Sequence, residues 1–224
     1  MFLAARLKLK RAESLIAELQ AAQDEYAASN PITGRFDIST EPPTILVLMA
    51  EVPDTCATVL GDAVHNIRSS LDLMATELAR ATSDNDKKVY FPIADSEETL
   101  DVAINNKKFH RCGADAVALL KTVSPFRGGN DYLRAVHDLD VRDKHCGLLV
   151  VGRSFECSFE GSINLENYAD NKLSIKASRV TLGFPEDDLF GGMFVIEVLQ
   201  KAVEEIERIF QAFESLVKLR AAAT

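Results

Sequence analysis

Two stretches of the chain bring together side chains able to move protons and carry charge. In the first, His65, Arg68 and Asp72 lie within roughly 60° of one another if the segment is helical, because each residue advances about 100° around the axis. In the second, His137, Asp140 and Lys144 share one flank of a helical pattern, while Arg134, Asp138, Arg142 and His145 share the other. Asp143 projects from the apolar face between them, where a carboxylate must be paired, protonated or hydrogen-bonded. Histidine with a carboxylate serves as general acid or base, and Arg or Lys stabilises charge developing on a phosphate or carbonyl. Two such helices facing each other would converge these groups in one inter-helix cleft, an arrangement that suits phosphodiester cleavage.

Two other readings fit the same residues. Arg68, Asp72 and Asp143 would form a buried ion-pair lattice that fixes how the helices meet, with His65 and His137 as satisfied hydrogen-bonders. Asp138 can likewise pair with Arg134 and Arg142 at four-residue spacing. Alternatively His65, His137 and His145 with a carboxylate would suit zinc in a metal-dependent hydrolase. The chain has neither H-E-x-x-H nor H-x-x-x-H, so no metal and no cofactor is assigned. G-x-S-x-G, Walker and dinucleotide fingerprints are missing too. The loop Ser124-Pro125-Phe126-Arg127-Gly128-Gly129-Asn130 enters the second polar helix and offers Arg127 and a helix amino terminus to an anion, without the Lys-Ser/Thr ending of a P-loop.

The elements that must position these groups are read from periodicity. Leu60, Val64, Ile67, Leu71, Met74 and Leu78 recur at steps of four and three, predicting a core helix over 54–82 with a buried seam. Val195, Leu199, Ala202, Ile206, Ile209, Phe213 and Leu216 repeat that step, so the last helix is expected to pack along the core helix or a symmetry partner. A further helix is expected over 2–29, ended by Asn30-Pro31, and a hairpin over 32–38 and 44–52 whose second strand is apolar enough to be covered on both faces. Residues 89–93 read as an edge strand or packed loop, 96–110 and 113–123 as helices, and 131–149 as the second polar helix. Alternation between 154 and 184, punctuated by Gly161 and residues 167–171, predicts an antiparallel meander.

The 224 residues, 47% hydrophobic and 26% charged, are expected to form one domain, 1–224. A net charge of −9 disfavours adhesion of the whole surface to nucleic acid or anionic membrane. Cys56, Cys112, Cys146 and Cys157 have neither metal-type nor C-x-x-C spacing and read as free thiols in the cytoplasm. The amino terminus turns basic within six residues, unlike a signal peptide, and no apolar run is long enough for a membrane span.

The segment Gly61-Asp62-Ala63-Val64-His65-Asn66-Ile67-Arg68-Ser69-Ser70-Leu71-Asp72, followed by Phe91-Pro92-Ile93 and Asp143-Lys144-His145, resembles a family of uncharacterised bacterial proteins. Its pattern is G-D-x-x-H-N-L-R-S-A-L-D, then F-P-I, then D-K-H-R; Cys146 stands in place of the last Arg. A looser resemblance is to the HEPN group of helical-bundle proteins, many of them RNases or toxin and defence components, whose catalytic Arg and His are separated by four to six residues. Arg134 and His137, and Arg142 and His145, are separated here by two. That resemblance implies a bundle and makes His145 the first candidate for a catalytic base.

The expectation is therefore an α+β fold, a helical bundle of long amphipathic helices with an antiparallel sheet built from the early hairpin and the late meander. The expected function is binding or cleavage of RNA or a nucleotide in the polar cleft, by a cytoplasmic protein that forms a homodimer or joins a helix-bundle partner. The alternative is a non-catalytic interaction or scaffold module with a structural polar network.

Overall fold

Apolar seams of the long helices become buried faces in a computed structural model that describes residues 1–37, 39–41, 44–82, 86–147, 150–160, 174–186 and 190–223. In chain order the elements are α1 (Leu3–Ala28), β1 (Ile32–Asp37), β2 (Thr44–Met49), α2 (Asp54–Thr82), α3 (Leu100–Asn106), a 3₁₀ turn (Phe109–Cys112), α4 (Ala114–Val123), α5 (Asp131–Cys146), β3 (Val151–Glu160), β4 (Ser174–Gly183) and α6 (Val195–Ala222). The fold is α+β, a helical bundle with antiparallel hairpins. The chain divides into two compact units: Met1–Ala17 with Thr58–Leu148 and Glu197–Thr224, and Glu18–Ala57 with Leu149–Ile196. No helix among the described residues is long and apolar enough to cross a membrane.

In the first unit the α2 seam is fully buried from Leu60 through Val64, Ile67, Leu71 and Met74 to Leu78, so truncating one of its leucines to alanine would cost about 2–5 kcal/mol. The α6 seam is buried at Leu199, Ala202, Ile206, Ile209 and Phe213. Aromatic rings join it to the intervening segments: Phe109 meets Phe213 edge-on at 6.1 Å and Phe91 at 6.0 Å, a geometry in which ring edge faces ring π-cloud. α1 is fastened to α6 by Arg6, whose guanidinium donates to Glu207 and Glu214. At the far end of α6, Arg220 donates to Asp115 Oδ2 (2.8 Å), Thr82 Oγ1 (2.7 Å) and the Cys112 carbonyl (2.7 Å). Its hydrogen bonds hold the Asp115 carboxyl down at about 2.

Residues 96–110, expected as one helix, instead form α3 and then the 3₁₀ turn, because Lys108 adopts a left-handed φ of 57° between them. Residues 89–93 form no strand; Val89, Phe91, Pro92 and Ile93 are buried as a packed loop.

In the second unit β1 pairs with β2 from Ile32↔Met49 to Asp37↔Thr44, and β3 pairs with β4 from Val151↔Gly183 to Glu160↔Ser174. These described strands form two separate two-stranded sheets. Buried Gln23 accepts from Thr181 Oγ1 (2.7 Å) and from the Leu182 N–H (2.9 Å) through its carboxamide oxygen. Tyr26 donates to the Ala50 carbonyl at 2.6 Å. β2 is not covered on both faces: Ile45, Val47 and Leu48 are exposed. Residues 83–85 of the polar stretch Ser83-Asp84-Asn85-Asp86 that is expected to stop α2, the meander's Gly161 and residues 167–171, and the side chains of Cys146 and Cys157 lie outside the described residues. Cys56 and Cys112 are buried free thiols.

Candidate functional site

Each polar helix contributes the same stripe. α2 presents His65, Arg68, Ser69 and Asp72, and α5 presents His137, Asp140, Val141 and Lys144, both at spacing i, i+3, i+4, i+7, the set that shares one helix face. With Tyr90 and Lys107 they line a cleft of about 320 Å³ within the first unit. Both stripes lie beside buried apolar faces, so core packing of Ile67, Leu71, Val136 and Leu139 fixes the register of the polar groups.

The cleft contains two hydrogen-bonded groups with different solvent access. The deeper one is Arg68, only 5% exposed. Its Nη1 donates to Asp72 Oδ1 (2.7 Å) and its Nη2 to the Phe91 carbonyl (2.9 Å), while the Phe91 N–H donates to the same Asp72 oxygen (2.9 Å). Thr76 extends the pattern by donating to the Val89 carbonyl at 3.0 Å. This group clamps the packed loop onto α2, and each member satisfies another's buried valence.

The second group is open. Asp140, its side chain 6% exposed, faces His65 Nδ1 at 3.0 Å through Oδ1 and accepts from Lys144 Nζ at 2.5 Å through Oδ2. The His65 and Lys144 side chains are 49% and 50% exposed. Ser69 Oγ lies 3.3 Å from His65 Nε2. A buried carboxylate thus holds an imidazole whose far edge faces the cleft, the relation that orients a general base.

His137 lines the same cleft, yet its Nδ1 is buried without a hydrogen-bond partner among the described residues. Burial first, then the charges of Arg68 and Arg134, push its pKa below the ordinary 6.5. Lys107 lies over the Tyr90 ring, 5.8 Å from its centroid.

The remaining predicted residues lie elsewhere. Arg134 is paired with Asp138 and Asp95 and donates to the Ala94 carbonyl, and Arg127 also reaches Asp138 at 3.3 Å. Arg142 and His145 are not among the cleft-lining residues, and His145 is exposed. Asp143 rests against α2 where Gly61 leaves room: a Cβ at Gly61 would stand 2.6 Å from its Oδ1. The glycine-paired loop spends its anion-binding capacity internally, since Asn130 Oδ1 caps α5 at the Leu133 N–H (3.1 Å) and Asp131 accepts from Gly128 N (3.0 Å). Among the described residues no group of three or more His, Cys, Asp or Glu is placed to hold a metal ion.

Sequence reasoning passes over Ser69, Tyr90 and Lys107. Ser69 carries a local signal, four residues after His65 on the same face; Tyr90 and Lys107 reach the cleft only through tertiary packing. Comparison of the chain with family models, with curated proteins and with solved structures gives no match.

Proposed function

We propose that the cleft binds and cleaves a phosphodiester of RNA or a nucleotide, with His65 as the proton-transfer group. The observation that carries this reading is the Asp140-held imidazole opening into the same cleft as Lys107, Lys144 and Arg68. Asp140 can only accept, so the His65 tautomer that donates from Nδ1 leaves Nε2 as the acceptor for a substrate proton. Lys107 and Lys144 face the charge that accumulates on phosphate oxygens as the leaving group departs. His137, kept uncharged by burial and cationic neighbours, supplies a neutral imidazole opposite. This assigns the base to His65 in place of His145, which stands outside the cleft, and keeps the HEPN-like resemblance at the level of the bundle. A cytoplasmic location and a homodimer belong to the same proposal and rest on the sequence.

A scaffold reading is favoured by one specific observation, the Arg68, Asp72 and Phe91 clamp, whose bonds are explained by structure alone. The readings divide on His65. Incubating the full chain with single-stranded, structured and transfer RNAs should give cleavage that His65→Ala lowers at least 100-fold, a loss in the usual range for a positioned acid or base. His110→Ala, outside the cleft, should retain it. No cleavage by the unmodified protein would replace the enzymatic reading with the scaffold, and equal cleavage by His65→Ala would remove His65 from the reaction.

A further inference from the structure

We propose that Ser69 is the nucleophile of this cleft and that the reaction passes through a covalent Ser69 phosphoester; this rests on the reading of the cleft as a phosphodiester-cleaving site. The geometry is a continuous chain: Ser69 Oγ to His65 Nε2 at 3.3 Å, His65 Nδ1 to Asp140 Oδ1 at 3.0 Å, and Asp140 Oδ2 to Lys144 Nζ at 2.5 Å. In the neutral imidazole one assignment of protons satisfies every link. Asp140 accepts, His65 donates from Nδ1 and accepts at Nε2, and in that tautomer Ser69 donates its O–H to the imidazole.

Five other hydroxyls inside helices behave differently from Ser69. Ser14 donates to the Lys10 carbonyl, Ser70 to Ile67, Thr76 to Asp72, Thr82 to Leu78 and Ser215 to Gln211, the back-bonding usual for a hydroxyl inside a helix. Ser69 instead meets the imidazole of the residue one turn before it. Its hydroxyl is directed at a base whose other nitrogen is anchored by a sealed carboxylate, which is how a weak nucleophile is activated.

The step balances without any co-reactant but water. Ser69 Oγ bonds to phosphorus as the bond from phosphorus to the leaving alkoxide breaks; the serine proton passes to His65 Nε2 and from there to the leaving oxygen. Water then bonds to phosphorus, the bond to Ser69 Oγ breaks, and the water proton returns through His65 to the serine. The products are an alcohol and a phosphate monoester. Because the attacking oxygen belongs to the protein, the substrate needs no 2′-hydroxyl. The substrate class therefore widens from RNA to phosphodiesters generally, including deoxyribonucleotides.

The test uses the full chain with an RNA oligonucleotide, the same sequence as DNA, and bis(p-nitrophenyl) phosphate. The proposal expects cleavage of all three, a p-nitrophenol burst stoichiometric with protein, and a mass increase in acid-quenched protein that maps to Ser69. Ser69→Ala should lose the adduct and at least 100-fold of the rate on every substrate, with a melting temperature near that of the unmodified chain; Ser14→Ala should keep both. Cleavage of RNA alone, yielding 2′,3′-cyclic ends and surviving in Ser69→Ala, overturns the nucleophile and leaves the proposed phosphodiester cleavage standing. No cleavage of any substrate and no adduct overturns both.

Discussion

Asp140 and His65 meet at 3.0 Å across two helices, the carboxylate sealed at 6% exposure and the imidazole half open at 49%. Solvent therefore reaches the working edge of the ring but not the group that orients it. Asp140→Asn keeps the shape while allowing the side chain to donate to Nδ1, which favours the opposite tautomer. The expected result is a kcat about 100- to 10,000-fold lower with KM changed little, measured as initial rates on a cleaved phosphodiester.

Arg68 and Lys144 should separate stability from activity. Arg68→Met strands the Phe91 carbonyl and takes one of two donors from Asp72, which keeps the Phe91 N–H and is 29% exposed, and should cost about 1–3 kcal/mol. Lys144→Met, at a side chain 50% exposed, should cost about 1 kcal/mol or less while weakening phosphate binding. Urea midpoints for both variants check this; equal losses would mean that the two groups form one structural lattice.

Gly61 and Asp143 should show non-additive behaviour. Alanine improves helix propensity over glycine by about 1 kcal/mol, but its Cβ would stand 2.6 Å from Asp143 Oδ1, and overpacking costs about 1–3 kcal/mol. Gly61→Ala alone should be neutral to destabilising, and in an Asp143→Ala background it should stabilise. A double-mutant cycle reads the difference, and additive effects would contradict the close approach.

His137 gives the stability a pH dependence of definite sign. Burial and then the charges of Arg68 and Arg134 lower its pKa from 6.5 in the folded chain, with Asp138 opposing. The unfolded chain binds a proton that the native state refuses, so stability is complete above about pH 6.5 and falls as pH drops below it toward the folded pKa. The slope in that window stays below the one-proton limit of about 1.4 kcal/mol per pH unit. His137→Gln should flatten the profile between pH 7 and 5 in chemical denaturation, whereas an unchanged slope would count against it.

Much of the frame is legible in spacing. The four-three seams of α2 and α6 predict buried faces because a helix repeats every 3.6 residues. The same arithmetic sorts α5 correctly: His137, Asp140 and Lys144 reach the cleft, while Arg134 and Asp138 pair with each other. Pairings between helices are not legible. Spacing suits Asp143 as well as Asp140 for the network with α2; packing gives the His65 bond to Asp140 and sets the Asp143 carboxylate against Gly61, one turn earlier on α2. Ser69 hides for another reason, since a serine inside a helix ordinarily bonds its own backbone. The left-handed Lys108 that splits 96–110 has no glycine to announce it.

β2 has a practical consequence. The run Thr-Ile-Leu-Val-Leu-Met carries no charge, and Ile45, Val47 and Leu48 are exposed. Among the described residues it pairs with β1 alone. Six uncharged residues, three of them β-branched, with no strand on their far side among the described residues, are what cross-β stacking recruits, and natural edges are normally guarded by lysine or proline. Concentrated preparations should therefore gel or form fibrils through this strand before the bundle unfolds, and a single Val47→Lys gatekeeper should raise the solubility limit without touching the cleft chemistry.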